Sequence, residues 1–72
     1  MTGSEFSDIM RNYWHMPTIY HAREDQYQVF IVSDNTHFFI YDGEDVRKWD
    51  WDDVISIIEG DLFLYNERRG KT

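Results

Sequence analysis

The sequence predicts a single small α+β domain of residues 1–72, in which two helices pack on a three- to five-stranded, mainly antiparallel sheet in the order α-β-β-β-α-β. Apolar residues recur at helical spacing near the start and again after position 50, and runs of β-branched and aromatic residues lie between them. The 72 residues suffice for one domain. Without cysteine, and with three Trp, five Tyr and five Phe, the chain depends on aromatic packing for its stability.

The first helix is predicted at about residues 5–15. Ser4 is a candidate N-cap, and Pro17 stops the helix. Its apolar stripe consists of Phe6, Ile9, Met10, Tyr13 and Trp14. The letters "GSEF" at 3–6 also resemble the peptide that two adjacent cloning sites leave in an expressed protein, so an alternative is that residues 1–6 are not native.

Three strands are predicted to follow, at residues 18–23, 27–33 and 36–42. Asp34-Asn35 favours a two-residue hairpin turn between the second and third strands, because both residues tolerate positive φ. Residues 44–49 fit either a short, charged edge strand or a loop.

The second helix is predicted to begin after Asp50, a natural N-cap, with Asp53 in the N3 place of a capping box. Its apolar face consists of Trp51, Val54, Ile55 and Ile58. This spacing places Trp51 in the core. Gly60 is predicted to end the helix, because glycine suits the left-handed residue that follows a helix.

The run "LFLYN" at 62–66 predicts a last strand, and residues 67–72 are predicted to fray. In the central strands, "VFIV" at 29–32 and "FFIY" at 38–41 are apolar on both alternating faces. A sheet with one face in water should instead alternate apolar with polar residues. Either a helix covers each face, or one face contacts a partner, and a homodimer through that face is possible.

The charge balance disfavours nucleic acid as a direct partner. Fourteen acidic residues against seven Lys and Arg give a net charge of −7. Nucleic-acid binding depends on cations that neutralise phosphates, and the only basic cluster here lies at 67–71. Acidic surfaces instead attract basic protein surfaces. The apolar runs are too short to span a membrane and no secretory leader opens the chain, so a cytoplasmic protein without a membrane partner is expected.

Catalytic and metal-binding motifs are missing from the sequence. It contains no nucleophile elbow, P-loop, Gly-rich dinucleotide turn or cysteine, so we expect no enzyme activity and no cofactor. The histidines at positions 15, 21 and 37 would need acids such as Asp34 or Asp42 to complete a metal site. Their spacing matches no known ligand pattern, and a solvated histidine is the commoner case.

Acidic residues are concentrated in the second half of the chain. Eight carboxylates lie between Asp42 and Asp61, against Arg47 and Lys48. Capping and the helix dipole account for the three nearest Trp51. The same dipole disfavours carboxylates at the far end of a helix. Solubility is the alternative explanation for the remainder.

These carboxylates and one tryptophan form the predicted partner-binding site: Asp42, Glu44, Asp45, Trp49, Asp50, Asp52 and Asp53. An exposed Trp49 would serve as an anchor, because tryptophan is enriched among residues that dominate binding energy. The alternative is that Trp49 packs over an edge of the core.

In size, acidity and aromatic content the chain is similar to small acidic proteins that phages and mobile elements encode against host machines. These include anti-CRISPR proteins, anti-restriction DNA mimics, and inhibitors of host polymerase or uracil-DNA glycosylase. The likeness rests on no motif. The leading hypothesis is a non-catalytic inhibitor of a larger protein with a basic, nucleic-acid-handling surface, acting in the host cytoplasm if phage-encoded. The alternative is a homo-oligomeric structural or regulatory subunit that associates through an apolar sheet face.

Overall fold

A computed structural model describes residues 1–34 and 36–70. Its elements in chain order are α1 (Gly3–Trp14), β1 (Thr18–His21), β2 (Gln26–Phe30), β3 (Phe38–Asp42), α2 (Gly43–Lys48) and α3 (Trp51–Gly70). The strands form one antiparallel sheet in the order β1-β2-β3. The predicted α+β class is therefore confirmed, while the described order is α-β-β-β-α-α.

Helix α1 begins at a capping box two residues earlier than predicted. The Thr2 hydroxyl accepts a hydrogen bond from the Glu5 N–H at 3.1 Å, and the Glu5 carboxylate accepts one from the Thr2 N–H at 2.9 Å. Thr2, and not Ser4, is thus the N-cap. The helix ends at His15, whose left-handed backbone (φ 56°) turns the chain two residues before Pro17.

Residues 1–6 are part of the packed structure. The Met1 ammonium donates to the carbonyl oxygens of Val46, Arg47 and Trp49 at 3.4, 3.2 and 2.7 Å. Phe6 is completely buried. These contacts join the start of the chain to the carboxyl end of α2.

The two connections of the sheet differ in length. β1 and β2 are joined by residues 22–25, where Asp25 adopts a left-handed backbone with φ 52°. β2 and β3 are joined by residues 31–37, a longer connection than the two-residue turn that the sequence predicts. Of that predicted turn, Asn35 lies outside the described residues.

One face of the sheet, the inner face, is covered by helices. The core residues from the helices are Phe6, Met10, Val46, Val54, Ile58 and Tyr65, and those from the sheet and its connections are Met16, Tyr27, Val29, Ile31 and Tyr41. Val29 is 0% exposed at the centre of β2. Because side chains alternate along a strand, the residues between these core positions point to the opposite, outer face.

The outer face carries Ile19, His21, Gln26, Gln28, Phe30, Phe38, Ile40 and Asp42. Ile19, Phe38 and Ile40 are 50%, 49% and 44% exposed. Of the two arrangements that the sequence left open, the described residues show the one in which helices leave one apolar face uncovered.

The predicted last strand at 62–66 is wrong, because α3 continues through it to Gly70. A glycine inside a helix costs only about 1 kcal/mol relative to alanine. Gly60 therefore does not stop α3 once tertiary contacts favour its continuation. Tyr65 supplies such contacts: its ring is buried and its hydroxyl donates to the Asp34 carboxylate at 2.7 Å. Residues 67–70, predicted to fray, are also helical, while 71 and 72 lie outside the described residues.

Residues 44–49, predicted as a strand or loop, contain most of the short helix α2. Its first turn holds Glu44 and Asp45 and its last turn Arg47 and Lys48, which matches the sign of the helix dipole at each end. Val46 between them is completely buried. Among the described residues, no helix has both the length and the apolar character that crossing a membrane requires.

Candidate interaction surfaces

Six of the predicted site residues form what we call the acidic segment: Asp42, Glu44, Asp45, Asp50, Asp52 and Asp53. All six are exposed. The first three lie where β3 passes into α2, and the other three lie where α3 begins. The two groups lie at the two ends of α2, whose six residues span about 9 Å.

Two contacts within the acidic segment are local. Asp50 and Asp53 form the predicted capping box: each accepts the other's backbone N–H, at 2.9 and 3.1 Å. Glu44 lies 3.9 Å from Lys48, one helical turn away, and both side chains are mostly exposed. Such an exposed pair contributes little to stability.

The remaining carboxylates of the acidic segment, Asp42, Asp45 and Asp52, contact no cation and no hydrogen-bond donor among the residues that the structure describes. Asp45 and Asp52 lie in the first turns of α2 and α3, where the helix dipole favours negative charge. The helix dipole therefore explains why carboxylates are tolerated at these positions. The same explanation applies to Glu44, which could not be explained from the sequence because α2 was not predicted. The carboxylate oxygens of Asp42, Asp45 and Asp52 are available to a partner.

Three other aspartates, which we call the tyrosine-bound aspartates, each accept a hydrogen bond from a tyrosine hydroxyl. The pairs are Tyr20 with Asp25 at 2.8 Å, Tyr41 with Asp61 at 2.6 Å and Tyr65 with Asp34 at 2.7 Å. Asp61 was unexplained in the sequence because it was placed beyond a helix end. It lies in the middle of α3 and holds that helix to β3.

These contacts shift the ionisation of the groups involved. The Arg47 guanidinium, bonded to both oxygens of Asp25 at 3.1 and 2.7 Å, and the Tyr20 hydroxyl together lower the pKa of Asp25 to about 2. Hydrogen bonds from Tyr65 and Thr36 hold the pKa of Asp34 well below its ordinary value. Asp25 and Asp34 are therefore bound in their ionised form.

The pKa of Tyr41, which holds α3 to the sheet, is raised and not lowered. Burial, and then the hydrogen bond to Asp61, raise the pKa of Tyr41 far above its usual value. The Tyr41 hydroxyl therefore stays protonated and donates to the Asp61 carboxylate at 2.6 Å.

The two tryptophans near the start of α3 exchange the roles that the sequence suggests. Trp49 is half-buried, with its ring centre 6.1 Å from that of Phe6 and 5.8 Å from that of Tyr41, which matches the alternative of packing over the core edge. The prediction that Trp51 is a core residue is wrong: it is 42% exposed. Its position in the first turn of α3 places it against Tyr13 at the end of α1, edge to face at 5.3 Å. This exposed aromatic pair lies beside the second half of the acidic segment.

A groove lies between the start of β3 and the second half of α3. Its volume is about 570 Å³, and it is lined by His37, Phe38, Phe39, Asp61, Leu64, Tyr65, Arg68 and Arg69. The Arg69 guanidinium lies 5.9 Å from the centre of the Tyr65 ring. This groove could not be predicted from the sequence, because residues 62–66 were predicted as a strand.

The three histidines have different surroundings. His21 Nε2 lies 2.8 Å from the Gln28 side-chain oxygen, and His37 Nδ1 lies 2.8 Å from Asp34 Oδ2. His15 is exposed at the end of α1. Across residues 1–34 and 36–70, no three His, Cys, Asp or Glu side chains come together as a metal site would require.

Comparison of the chain with known protein families, with curated proteins and with solved structures found no match. The geometry of this chain is therefore the basis for assigning its function. That geometry offers two kinds of surface, the acidic segment and the apolar outer face of the sheet.

Proposed function

We propose that the protein is a non-catalytic inhibitor that binds the basic surface of a larger, nucleic-acid-handling protein, in the manner of an anti-CRISPR protein or a DNA mimic. One observation supports this proposal: the six carboxylates of the acidic segment are all exposed, and among the described residues only Glu44 has a cation within 4 Å. For a phage-encoded chain, the place of action is the host cytoplasm.

The physical basis is charge replacement. A surface that binds nucleic acid presents Lys and Arg to phosphates, and a carboxylate can accept the same charge-assisted hydrogen bonds. The net charge of −7 adds long-range attraction that speeds encounter. Both contributions weaken as salt screens the charges, so affinity should fall steeply with ionic strength.

Aromatic contacts supply the remainder of the proposed site. Trp49 packs on Phe6 and Tyr41, so its contribution is to fix the segment between α2 and α3 while its exposed edge contacts the partner. Trp51 and Tyr13 offer more accessible rings. Exposed tryptophan and tyrosine beside a charged rim are typical of residues that dominate interface energies.

The test compares two triple variants with the same change of charge. One is Asp42→Asn, Asp45→Asn and Asp52→Asn, which removes carboxylates without structural contacts. The matched control is Glu24→Gln, Glu59→Gln and Glu67→Gln, three exposed carboxylates outside the acidic segment. Each triple variant removes three of the seven net negative charges.

Both triple variants and the wild type are assayed for displacement of labelled DNA from a guide-loaded Cas9-type nuclease, a restriction enzyme, a polymerase and a uracil-DNA glycosylase. We expect the wild type to displace DNA from one of these proteins. The aspartate variant should be at least tenfold weaker, and the control should stay within about threefold. No displacement from any of the four at low salt, or equal losses in both variants, would contradict the proposal.

A second candidate function is a homo-oligomeric structural or regulatory subunit. It is favoured by the outer face, where Ile19, Phe38 and Ile40 remain about half exposed. Sedimentation of the chain at micromolar concentration tests it, because a strict monomer excludes this function.

A further inference from the structure

The outer face of the sheet is nearly uncharged. Among its eight positions, Asp42 is the only Asp, Glu, Lys or Arg. Over the whole chain, 29% of residues are charged. The core of an interface is distinguished by few charged residues and many aromatic residues. A high apolar fraction alone does not distinguish it from other surface.

Polarity changes in one direction along the outer face. The strand register arranges it in three rows: Phe30 with Phe38, then Ile19 with Gln28 and Ile40, then His21 with Gln26 and Asp42. The Phe30 and Phe38 ring centres are 6.2 Å apart. The apolar row thus lies at one end of the face, and the only carboxylate lies at the other.

The apolar surface extends beyond the sheet at the Phe30–Phe38 end. Val32, just past β2, is 64% exposed, and Leu64, which lines the groove with Phe38, is 55% exposed. Leu64 belongs to α3, which covers the inner face, so the outer face and its continuation at Val32 present Ile19, Val32, Phe38 and Ile40, with on the order of 400 Å² of apolar area in water, within the range of the largest patch on a monomer. A stable dimer buries roughly 800 Å² on each partner, somewhat more than half of it apolar. The exposed area therefore matches what one half of a dimer needs.

We propose that the outer face binds a second copy of this chain, with the Phe30–Phe38 rows of the two copies in contact around a two-fold axis. A two-fold contact uses the same residues from both partners. With the axis at the apolar end, the two polar rows point in opposite directions. The two Asp42 carboxylates then lie at opposite rims of the dimer, where their repulsion is smallest.

Charge identifies the second copy as the occupant. A basic partner gains no electrostatic energy on a face with one peripheral carboxylate, and it is attracted to the acidic segment instead. Nucleic acid and anionic lipid are repelled by a chain of net charge −7 that places no cation on this face. Two copies also repel each other, so their contact is most favourable where each is uncharged.

The dimer specifies the second candidate function and does not depend on binding by the acidic segment. Of the acidic segment, only Asp42 belongs to the outer face. The other five carboxylates stay accessible in both copies. A dimer would then present two acidic segments, and a target with two basic sites would be bound more tightly than by either copy alone.

Sedimentation velocity of the full chain from about 1 to 100 μM, at low and high NaCl, tests the dimer. We expect reversible dimerisation that strengthens with salt, because screening reduces the repulsion between copies. Binding of a basic partner by the acidic segment should weaken with salt. A chain that stays monomeric over this range overturns the dimer, and a monomer that still displaces DNA leaves the inhibitor proposal intact.

Substitution on the outer face locates the contact. Ile40→Lys should weaken dimerisation at least tenfold. The matched control is Phe63→Lys, an even more exposed apolar residue (62%) that helical spacing places away from the buried side of α3. The control should stay within about twofold of the wild type, and equal effects of the two substitutions overturn the assignment.

A milder variant covers the case in which lysine prevents folding. Ile40→Thr keeps a β-branched side chain suited to a strand and removes only apolar contact. With circular dichroism confirming a folded chain, we expect dimerisation about fivefold weaker than in the wild type. Wild-type dimerisation by folded Ile40→Thr overturns the proposal even if Ile40→Lys is unfolded.

Discussion

Two groups of aspartates in this chain serve different purposes. The tyrosine-bound aspartates are Asp25, Asp34 and Asp61. Each accepts a hydrogen bond from a tyrosine hydroxyl of a strand or a helix. Asp42 and Asp45 of the acidic segment contact no donor side chain in the part of the chain that the structure describes. The net charge therefore mixes carboxylates that hold the fold with carboxylates that remain available, and only the second kind bears on a partner.

Two of the tyrosine-bound aspartates, Asp34 and Asp61, solve a problem that a small aromatic core creates, because their partners Tyr65 and Tyr41 are buried, whereas Tyr20 is 45% exposed. A tyrosine that packs its ring inside needs a partner for its hydroxyl. Two of the three pairs involve α3: Asp61 holds it to β3, and Tyr65 holds it to the β2–β3 connection. Tyr65 lies in the stretch that the sequence predicts as a strand, and Asp61 lies just before it, beyond the predicted helix end at Gly60.

The largest effect is expected at Gly43, which packs on Asp25. The Gly43 N–H donates to the Asp25 carbonyl at 2.7 Å, and a Cβ on Gly43 would overlap the Asp25 carboxylate and lie 2.9 Å from that carbonyl oxygen. Gly43→Ala should therefore destabilise the protein by about 2–3 kcal/mol. Urea denaturation measures the change in the free energy of unfolding.

Gly60→Ala is the control for this glycine. Nothing lies within 4 Å of a Cβ at this helical position, so alanine should stabilise by up to about 1 kcal/mol. Equal effects at Gly43 and Gly60 would show that Asp25 is not held in place by α2.

A smaller effect is expected where Tyr41 meets Asp61. Tyr41→Phe leaves the half-buried Asp61 carboxylate without its donor and should cost about 1–2 kcal/mol. Asp61→Asn keeps an acceptor oxygen and should cost less. In a double-mutant cycle the two should couple by about 1 kcal/mol, whereas Tyr41→Phe and Asp52→Asn should be additive. Absence of coupling between Tyr41 and Asp61 would remove this bond from the forces that hold α3.

The smallest effect is expected on the pH dependence of stability. The pKa of Asp25 is about 2 and that of Asp34 is also lowered, whereas an unfolded aspartate titrates near about 3.9. Stabilisation from a lowered pKa is fully present above the unfolded value and is lost as pH falls through the folded value. Stability should therefore decline from about pH 4 towards about pH 2.

Two single variants separate the groups of aspartates in this titration. Asp34→Asn removes one contributing carboxylate, so its melting temperature should fall less than that of the wild type between pH 7 and pH 2.5. Asp45→Asn, which removes a carboxylate that has no hydrogen-bond donor among the described residues, is the matched control. A steeper profile for Asp34→Asn than for Asp45→Asn would reverse the assignment of roles.

Local pattern was sufficient for the sheet and for the start of α3. Alternating β-branched and aromatic residues located all three strands within a few positions, and Asp50 with Asp53 marked the start of α3. The second half of α3 was not predictable locally. The apolar run at 62–66 fits a strand as well as a helix, and only contacts of Tyr65 and Asp61 with distant residues decide between them.

The candidate site was predictable in composition but not in detail. The carboxylates of the acidic segment are exposed, as charge alone suggests. Helix α2 was not predicted because six residues are too few to show the helical repeat of apolar positions. Acids at 44–45 followed by bases at 47–48 are nevertheless typical of a helix. Helical spacing placed Trp51 inside because it shares a face with Val54 and Ile58. A first-turn residue can nevertheless project past the core, as Trp51 does towards Tyr13.

The amino group of Met1 has a practical consequence for every assay described above. Its positive charge lies at the carboxyl end of α2, where a cation is favoured, and its three hydrogens serve three carbonyls. Acetylation, or an affinity tag fused ahead of Met1, would leave an uncharged amide with a single N–H. A melting temperature lowered by an amino-terminal tag would report the loss of this contact.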